Sequence, residues 1–309
     1  MNVDKHRISA VIPTKNRKSD LCAAVQSVLD QSRRPDELVV IDQSRNEESR
    51  YIIEGMLASC SGVKLVYVYD PTIQGLVHAK EVSIRRASGD IICFLEDDVV
   101  LDRNYMHSME EVFTANPEIL GVCGVVTEGA KTHPLYLLFF HLFHRGIFSD
   151  PRVGVHGLAD RAGDRLIQSD YLSGGVSAYR RKVFSEVPFD TVNGFHMLED
   201  IDFSTRAAEH FGKRLFFINP GARLAHHFSP LGREHYGQRY QRKLREFILF
   251  YKKKRSKQWA TLSLLWLLIG LQLEATAMSV MALRVSPLIG AFKGMLAGIR
   301  QPLLPVKSS

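Results

Sequence analysis

The chain has 309 residues, 45% hydrophobic and 24% charged, which excludes a disordered or low-complexity polypeptide and allows one large α/β domain with an appendage. Its net charge of +7 fits phosphate-bearing ligands, an anionic membrane surface or nucleic acid, and the basic stretch just before an apolar one favours the membrane over nucleic acid. The four cysteines, Cys22, Cys60, Cys93 and Cys123, lie far apart in no paired spacing, which argues against a zinc finger or a disulfide framework and predicts reduced, mostly buried thiols.

Residues 1–7 are polar and lead straight into a strand pattern, so no secretory signal is expected and the catalytic part is expected in the cytosol. The apolar run 8–12, followed by Pro13-Thr14-Lys15-Asn16-Arg17, reads as strand then loop. Leu21, Val25, Val28 and Leu29 then recur at helical spacing. A second strand, 38–41, ends at Asp42-Gln43-Ser44; a helix is expected over 51–58 and a third strand over 63–69. A helix over 76–87, closed by Gly89, leads into the run 91–95, a strand buried on both faces. Strands alternating with helices predict a parallel, doubly wound sheet.

Successive strands end in polar or acidic groups at Thr14, Asp42 and Asp97-Asp98, which would line one edge of the sheet. In open α/β sheets the ligand crevice lies there. Glu96, Asp97 and Asp98 are either turn and cap residues or a cation site, since a hard divalent ion takes one or two protein carboxylates. Asp42 suits a nucleobase or ribose as well as a turn cap. Gly75 with Lys80 suits a diphosphate, although a lone lysine is commonly a solvated surface residue.

The stretch 110–165 is less regular. Residues 135–148 read as a core helix or as an apolar face for a lipid-like acceptor, and His141 and His144, with no acid or thiol nearby, as packing or interfacial histidines. Glu199, Asp200 and Asp202 precede Phe203, Ala207 and Phe211 at helical spacing. Acids in a first helical turn complement the macrodipole, and one beside a cleft also suits a general base. Two short strands, 215–218 and 222–225, deliver His226-His227, structural or metal-ligating. A basic stretch follows, from Arg233 to Lys257. Residues 259–283 are largely apolar but contain Gln272 and Glu274, leaving a spanning, an interfacial and a buried helix open. In the first two cases Lys252, Lys253, Lys254, Arg255 and Lys257 keep the preceding domain cytosolic. Residues 287–299, with Lys293, read as interfacial.

Taken together, Val-Ile-Pro-Thr-Lys-Asn-Arg at 11–17, Val-Val-Ile-Asp-Gln-Ser at 39–44, Gly75-Leu76 with Ala79-Lys80, Ala-Ser-Gly-Asp at 87–90 leading into Phe-Leu-Glu-Asp-Asp, Leu-Glu-Asp-Ile-Asp at 198–202, and His226 with Ser229-Pro230 resemble the family 2 glycosyltransferases. These are inverting nucleotide-sugar enzymes with a GT-A fold. The resemblance covers about residues 8–255. It implies an α/β, Rossmann-like, mostly parallel sheet with helices on both faces. The expected organisation is a GT-A domain over 1–232 (nucleotide half 1–100, acceptor half 101–232), a basic juxtamembrane segment over 233–257, and a membrane-associated helical tail over 258–309.

The same resemblance implies that Thr14 and Asp42 contact base and ribose, with Asn16 also in the donor site, and that Lys80 reaches the diphosphate. Glu96 takes the first position of a DxD-like motif and Asp97 the middle one; Asp98 and His226 hold Mn2+ or Mg2+. Asp200 becomes the catalytic base and Glu199 an acceptor ligand. The sequence departs from the family at Gln43, Lys80 and Glu81, where Asp, Arg and Asn are common. The expected activity is metal-dependent, inverting transfer from a nucleotide sugar, expected to be a UDP-sugar, to a glycan or lipid-linked hydroxyl acceptor. It is placed at the cytoplasmic face of the membrane, with no nucleic-acid partner. A sugar-nucleotide pyrophosphorylase and a non-catalytic nucleotide-sugar or glycan sensor are the alternatives.

Overall fold

Uninterrupted apolar runs are stable only where both faces are covered. Four strands, three of them such runs, make the parallel half of one sheet in the computed structural model, which describes residues 6–128, 134–144, 163, 165–229, 235–254 and 259–306. They are β1 (Ile8–Thr14), β2 (Glu37–Asp42), β3 (Lys64–Tyr69) and β4 (Ile91–Leu95), in the spatial order β3-β2-β1-β4. Every residue of β1, β2 and β4 is buried, whereas β3, at the edge, is half-exposed. Helices α1 (Lys18–Leu29), α2 (Glu48–Ala58) and α3 (Leu76–Arg86) make the crossovers. In α1, Leu21, Ala24, Val25 and Val28 form the buried stripe that the spacing predicts. Helix α3 stops at Arg86, three residues before Gly89, and the Ala87 N–H donates to the Ser83 carbonyl.

The second half is mixed rather than parallel. It contains β5 (Val99–Leu101), α4 (Tyr105–Ala115), β6 (Gly121–Glu128), α5 (Pro134–Phe143), β7 (Ile167–Gln168), β8 (Val176–Arg180), α6 (Lys182–Glu186), α7 (Glu199–Phe211) and β9 (Phe216–His226). Strand β8 inserts antiparallel between β4 and β6; β9 runs parallel to β6 and antiparallel to β5 and β7. The two strands expected over 215–225 are one. Strand β9 passes through Asn219-Pro220-Gly221, and the register against β6 shifts across that stretch, where proline has no N–H to offer a ladder.

The tail forms three helices, α8 (Tyr236–Lys253), α9 (Ala260–Met281) and α10 (Ser286–Arg300). Their apolar residues join Tyr171, Phe195, Leu198 and Ile201 in a second core, apart from the one around the sheet. His144 is buried and stacks on Phe140 with ring centroids 4.0 Å apart, so it packs as expected. Pro230, Arg233, Arg255, Lys257 and residues 145–162 lie outside the described residues.

Candidate active site

The ends of β1, β2 and β4 place the polar groups. Parallel pairing sets Thr14 opposite Asp42, and β4 runs out into Glu96-Asp97-Asp98 beside them. Asp42 is fully buried; one carboxylate oxygen accepts from the Tyr67 hydroxyl at 2.6 Å and the other from the Ser44 N–H at 2.8 Å. Asn16, with a positive φ of 56°, donates its N–H to Ser44 Oγ at 2.8 Å and accepts from the Arg45 N–H at 3.1 Å. The loops after β1 and β2 are thereby stitched together. Next to Asp42, the buried Gln43 has its Oε1 without a hydrogen-bond partner among the described residues. Such an acceptor at a strand end is open to a ligand's N–H or O–H.

The three acids after β4 divide. Asp97 accepts from Thr14 Oγ1 at 2.8 Å and pairs with Arg17 Nη1 at 2.9 Å; burial pushes its carboxyl up against that pairing. Asp98 turns the other way. The pairing of Val99 with His226 across β5 and β9 brings the imidazole alongside, with Nε2 3.0 Å from both Asp98 Oδ1 and Glu96 Oε2. The Ser229 N–H donates to the second Asp98 oxygen at 2.9 Å. Burial opposes ionisation of Asp98, but the hydrogen bonds from His226 and Ser229 outweigh it and bring its pKa to about 2. Burial likewise opposes the imidazolium, yet the bonds to Asp98 and Glu96 raise His226 to about 9.

One ligand atom from each of Glu96, Asp98 and His226 lies within 4.8 Å of the others. Two carboxylates and an imidazole suit Mn2+ or Mg2+, so the residues fit a hard divalent ion. Asp97, held by Thr14 and Arg17, is not in this group.

A second carboxylate pair approaches from α7. Asp200 accepts from the Tyr171 hydroxyl at 3.0 Å and the Gly174 N–H at 3.2 Å on one oxygen, and from the Ile201 N–H at 2.8 Å on the other. Glu199 is 7% exposed and accepts from Lys80 Nζ at 3.1 Å. Burial drives the Glu199 carboxyl up to about 7, against the pull of Lys80. Lys80 is itself 3% exposed, and its ammonium also donates to the Gly174 carbonyl at 2.9 Å. The structure therefore places Lys80 beneath the acids of α7 rather than on a surface.

Gly174-Gly175 joins the two clusters. Because Val176 pairs with Leu95, Gly175 lies opposite Glu96, whose N–H donates to the Gly175 carbonyl at 3.1 Å. A Cβ on Gly175 would come within 2.5 Å of the Glu96 carboxyl; one on Gly174 would meet Asp200 Cβ at 2.8 Å and Glu199 Oε1 at 2.9 Å. Only glycine lets carboxylates a hundred residues apart in sequence close on the same turn. Sequence reasoning missed this pair, along with Tyr171 and the role of Arg17. The only local signal was two adjacent glycines just before an apolar run.

The comparisons give the family and the fold. The model of Glycosyl transferase family 2 matches residues 9–187. The O-antigen chain rhamnosyltransferase RfbN of Salmonella typhimurium is 24% identical over 241 residues, 76% of this chain and 70% of its own length. The GalNAc(5)-diNAcBac-PP-undecaprenol beta-1,3-glucosyltransferase of Campylobacter jejuni is 23% identical over 124 residues, 40% of each chain. Against two uncharacterised glycosyltransferases of Haemophilus influenzae, 34% and 25% identical over 91 and 127 residues (29% and 40% of this chain), the chain spans only 36% and 41% of their length. Among solved structures, the mannosyltransferase PcManGT of Pyrobaculum calidifontis, in complex with GDP-Man and Mn2+, superposes with a TM-score of 0.60 at 14% identity, covering 96% of this chain and 88% of that one. The glucosyl-3-phosphoglycerate synthase of Mycobacterium tuberculosis, with Mn2+ and UDP-glucose, gives 0.51 at 20% identity over 73% of each chain.

Proposed function

The chain belongs to glycosyl transferase family 2 and is a glycosyltransferase; from that premise we propose that it transfers a sugar, with inversion, from a nucleoside-diphosphate sugar to a hydroxyl of a glycan or lipid-linked acceptor. The observation that carries this is the Gly174-Gly175 turn, which touches the Glu96–Asp98–His226 group on one side and Glu199–Asp200 on the other. A donor site and an acceptor base are thus set against one another.

In this reading Thr14, Asn16, Asp42 and the unpartnered Gln43 carbonyl line the nucleoside end, with Asp97 and Arg17 bracing the wall. Glu96, Asp98 and His226 would hold Mn2+ or Mg2+, which would supply positive charge to neutralise the departing diphosphate. Asp200 Oδ2, oriented by Tyr171 and the Gly174 N–H, takes the proton of the attacking hydroxyl. Glu199 faces the acceptor. Lys80 acts as a positioning residue, holding Glu199 and the Gly174 carbonyl in place.

Relatives named for an O-antigen chain and for a PP-undecaprenol acceptor support polysaccharide or lipid-linked glycan synthesis. A uridine nucleotide is the donor we favour, although one structural neighbour carries GDP-mannose and another UDP-glucose. Apolar α9 beside basic α8 supports association with the cytoplasmic leaflet, whose surface potential is negative.

The test is a screen of nucleotide sugars for donor hydrolysis with Mn2+ and with EDTA. Hydrolysis of a nucleotide sugar that EDTA suppresses is expected. Asp200→Asn is expected to lose at least about a thousandfold in transfer while binding nucleotide normally. Near-full transfer by that variant refutes the assignment of the base.

A further inference from the structure

Helix α9 has 22 residues. At about 1.5 Å per residue it is long enough to cross the roughly 30 Å hydrocarbon layer. Its two faces nevertheless differ. Leu262, Leu265, Trp266, Ile269, Leu273 and Val280 are exposed, and their spacings of three, four and seven put them on one stripe. The opposite face is covered. Ala260, Leu267, Leu271 and Ala275 are buried, and Glu274 accepts from Lys243 Nζ at 2.7 and 2.8 Å and from the Tyr240 hydroxyl at 3.1 Å. At its side, the Trp266 indole N–H donates to the Leu142 carbonyl of α5 at 2.8 Å, and the ring stacks on Phe143.

The helix on the covered face, α8, carries Arg239, Arg242, Lys243, Arg245, Lys252 and Lys253. If α9 crossed a bilayer, one of two things would follow. Either α8 would be drawn into hydrocarbon, where each of its cations is strongly disfavoured. Or the Lys243–Glu274 pair would break and strand Glu274 in lipid.

Helix α10 repeats the pattern. A Cβ on Gly290 or Gly294 would collide with the main chain of Gly237 or Gln241, so α10 sits tight on α8, while Leu288, Ile289, Phe292 and Ile299 face outward. The turn between the two helices exposes Leu283 and Val285. Over 259–306 the exposed charges are Arg284, Lys293 and Arg300, and the one carboxylate, Glu274, is paired. Apolar stripes rimmed by cations with no exposed acid match an anionic lipid surface. A second copy of the chain would set those cations against one another.

We propose that α9 and α10 lie in the plane of the membrane interface, with their exposed stripes sunk into an anionic leaflet, so that the protein docks on one leaflet without crossing it. The proposal rests on the membrane association in the reading above and fixes its geometry. The chain's two tryptophans, Trp259 and Trp266, are seven residues apart, and both are exposed. In a spanning helix they differ in depth by about 10 Å; in a flat one they share a depth.

The experiment uses the full chain as the single-tryptophan variants Trp259→Phe and Trp266→Phe. Each is bound to phosphatidylcholine–phosphatidylglycerol vesicles carrying bromine at stepped acyl positions. Equal, shallow quenching depths are expected. In addition, a Leu265→Asp/Leu273→Asp double variant is expected to bind vesicles at least about tenfold more weakly while still hydrolysing donor. A depth difference near 10 Å overturns the flat geometry and leaves membrane association standing. Absence of vesicle binding by wild-type protein, with self-association by light scattering instead, overturns both. Unchanged vesicle binding by the double variant removes the stripe as the contact.

Discussion

Replacing Lys80 with methionine keeps the buried stem and deletes the ammonium. In the native protein that ammonium donates to the Gly174 carbonyl at 2.9 Å and to Glu199 at 3.1 Å, with both side chains nearly fully buried. At acid pH, where Glu199 is neutral, the variant loses the bond to Gly174, worth about 1–2 kcal/mol. Burial already holds the native Glu199 carboxyl up at about 7, and removing Lys80 takes away the charge that opposes this shift. An acid whose folded pKa is raised destabilises the fold increasingly as pH climbs above its unfolded value, until it ionises. Wild type stops losing stability near pH 7, whereas the variant continues to lose up to about 1.4 kcal/mol per further pH unit. By pH 9 the deficit should reach about 3–5 kcal/mol, the usual cost of breaking a buried ion pair. Urea unfolding of both proteins at pH 6, 7.5 and 9 reads this directly, and a deficit that stays flat with pH refutes the pairing. Activity separates positioning from ligand contact. Positioning predicts a kcat loss of about a hundredfold with donor affinity nearly unchanged; a large loss of donor affinity with kcat retained would move Lys80 onto the diphosphate.

Mn2+ must displace the proton that His226 carries below about pH 9, so its apparent affinity should rise about tenfold per pH unit from pH 7 to 9 and then level, with close to one proton released per ion. A pH-independent titration would remove His226 from the ion's ligands. Tyr171→Phe removes the hydroxyl that orients Asp200; stability should fall by about 1 kcal/mol and kcat by about tenfold, with donor affinity unchanged. Full kcat in that variant would detach Tyr171 from the base. Gly175→Ala drives a methyl into the Glu96 carboxyl and should weaken Mn2+ binding by about tenfold or more, with α7 and its acids in place; native affinity would show that Glu96 is not a ligand.

The parallel half of the fold was legible because each of its signals is local. Apolar runs of four or five residues, helical stripes such as Leu21-Val25-Val28 and polar residues at strand ends each announce themselves within one window. The antiparallel insertion of β8 was not, because its partner β4 lies more than eighty residues away and its five residues resemble any short apolar run. The same distance hid the site's supports. Tyr171 meets Asp200 across 29 residues and Lys80 meets Gly174 across 94. Lys80 did leave one trace. It lies on the face of α3 that buries Val77 and Ser83, three residues to either side, and a lysine on a buried stripe needs an internal partner.

Composition divides the chain after residue 232, but hydrogen bonding does not. Helix α7, which carries Glu199 and Asp200, begins at a leucine that offers no side-chain cap. The Met197 and Leu198 N–H groups leading into it are taken by Glu246 of α8 at 2.7 and 3.0 Å, a fully buried carboxylate from beyond that boundary. Since the start of α7 sets where Asp200 stands, the helix that fixes the proposed base belongs to the tail. Through Lys243 and Glu274 that same helix holds α9, whose outer stripe meets the lipid in our reading. In our reading docking and base placement therefore share one element, which makes the tail part of the proposed catalytic framework rather than a detachable anchor.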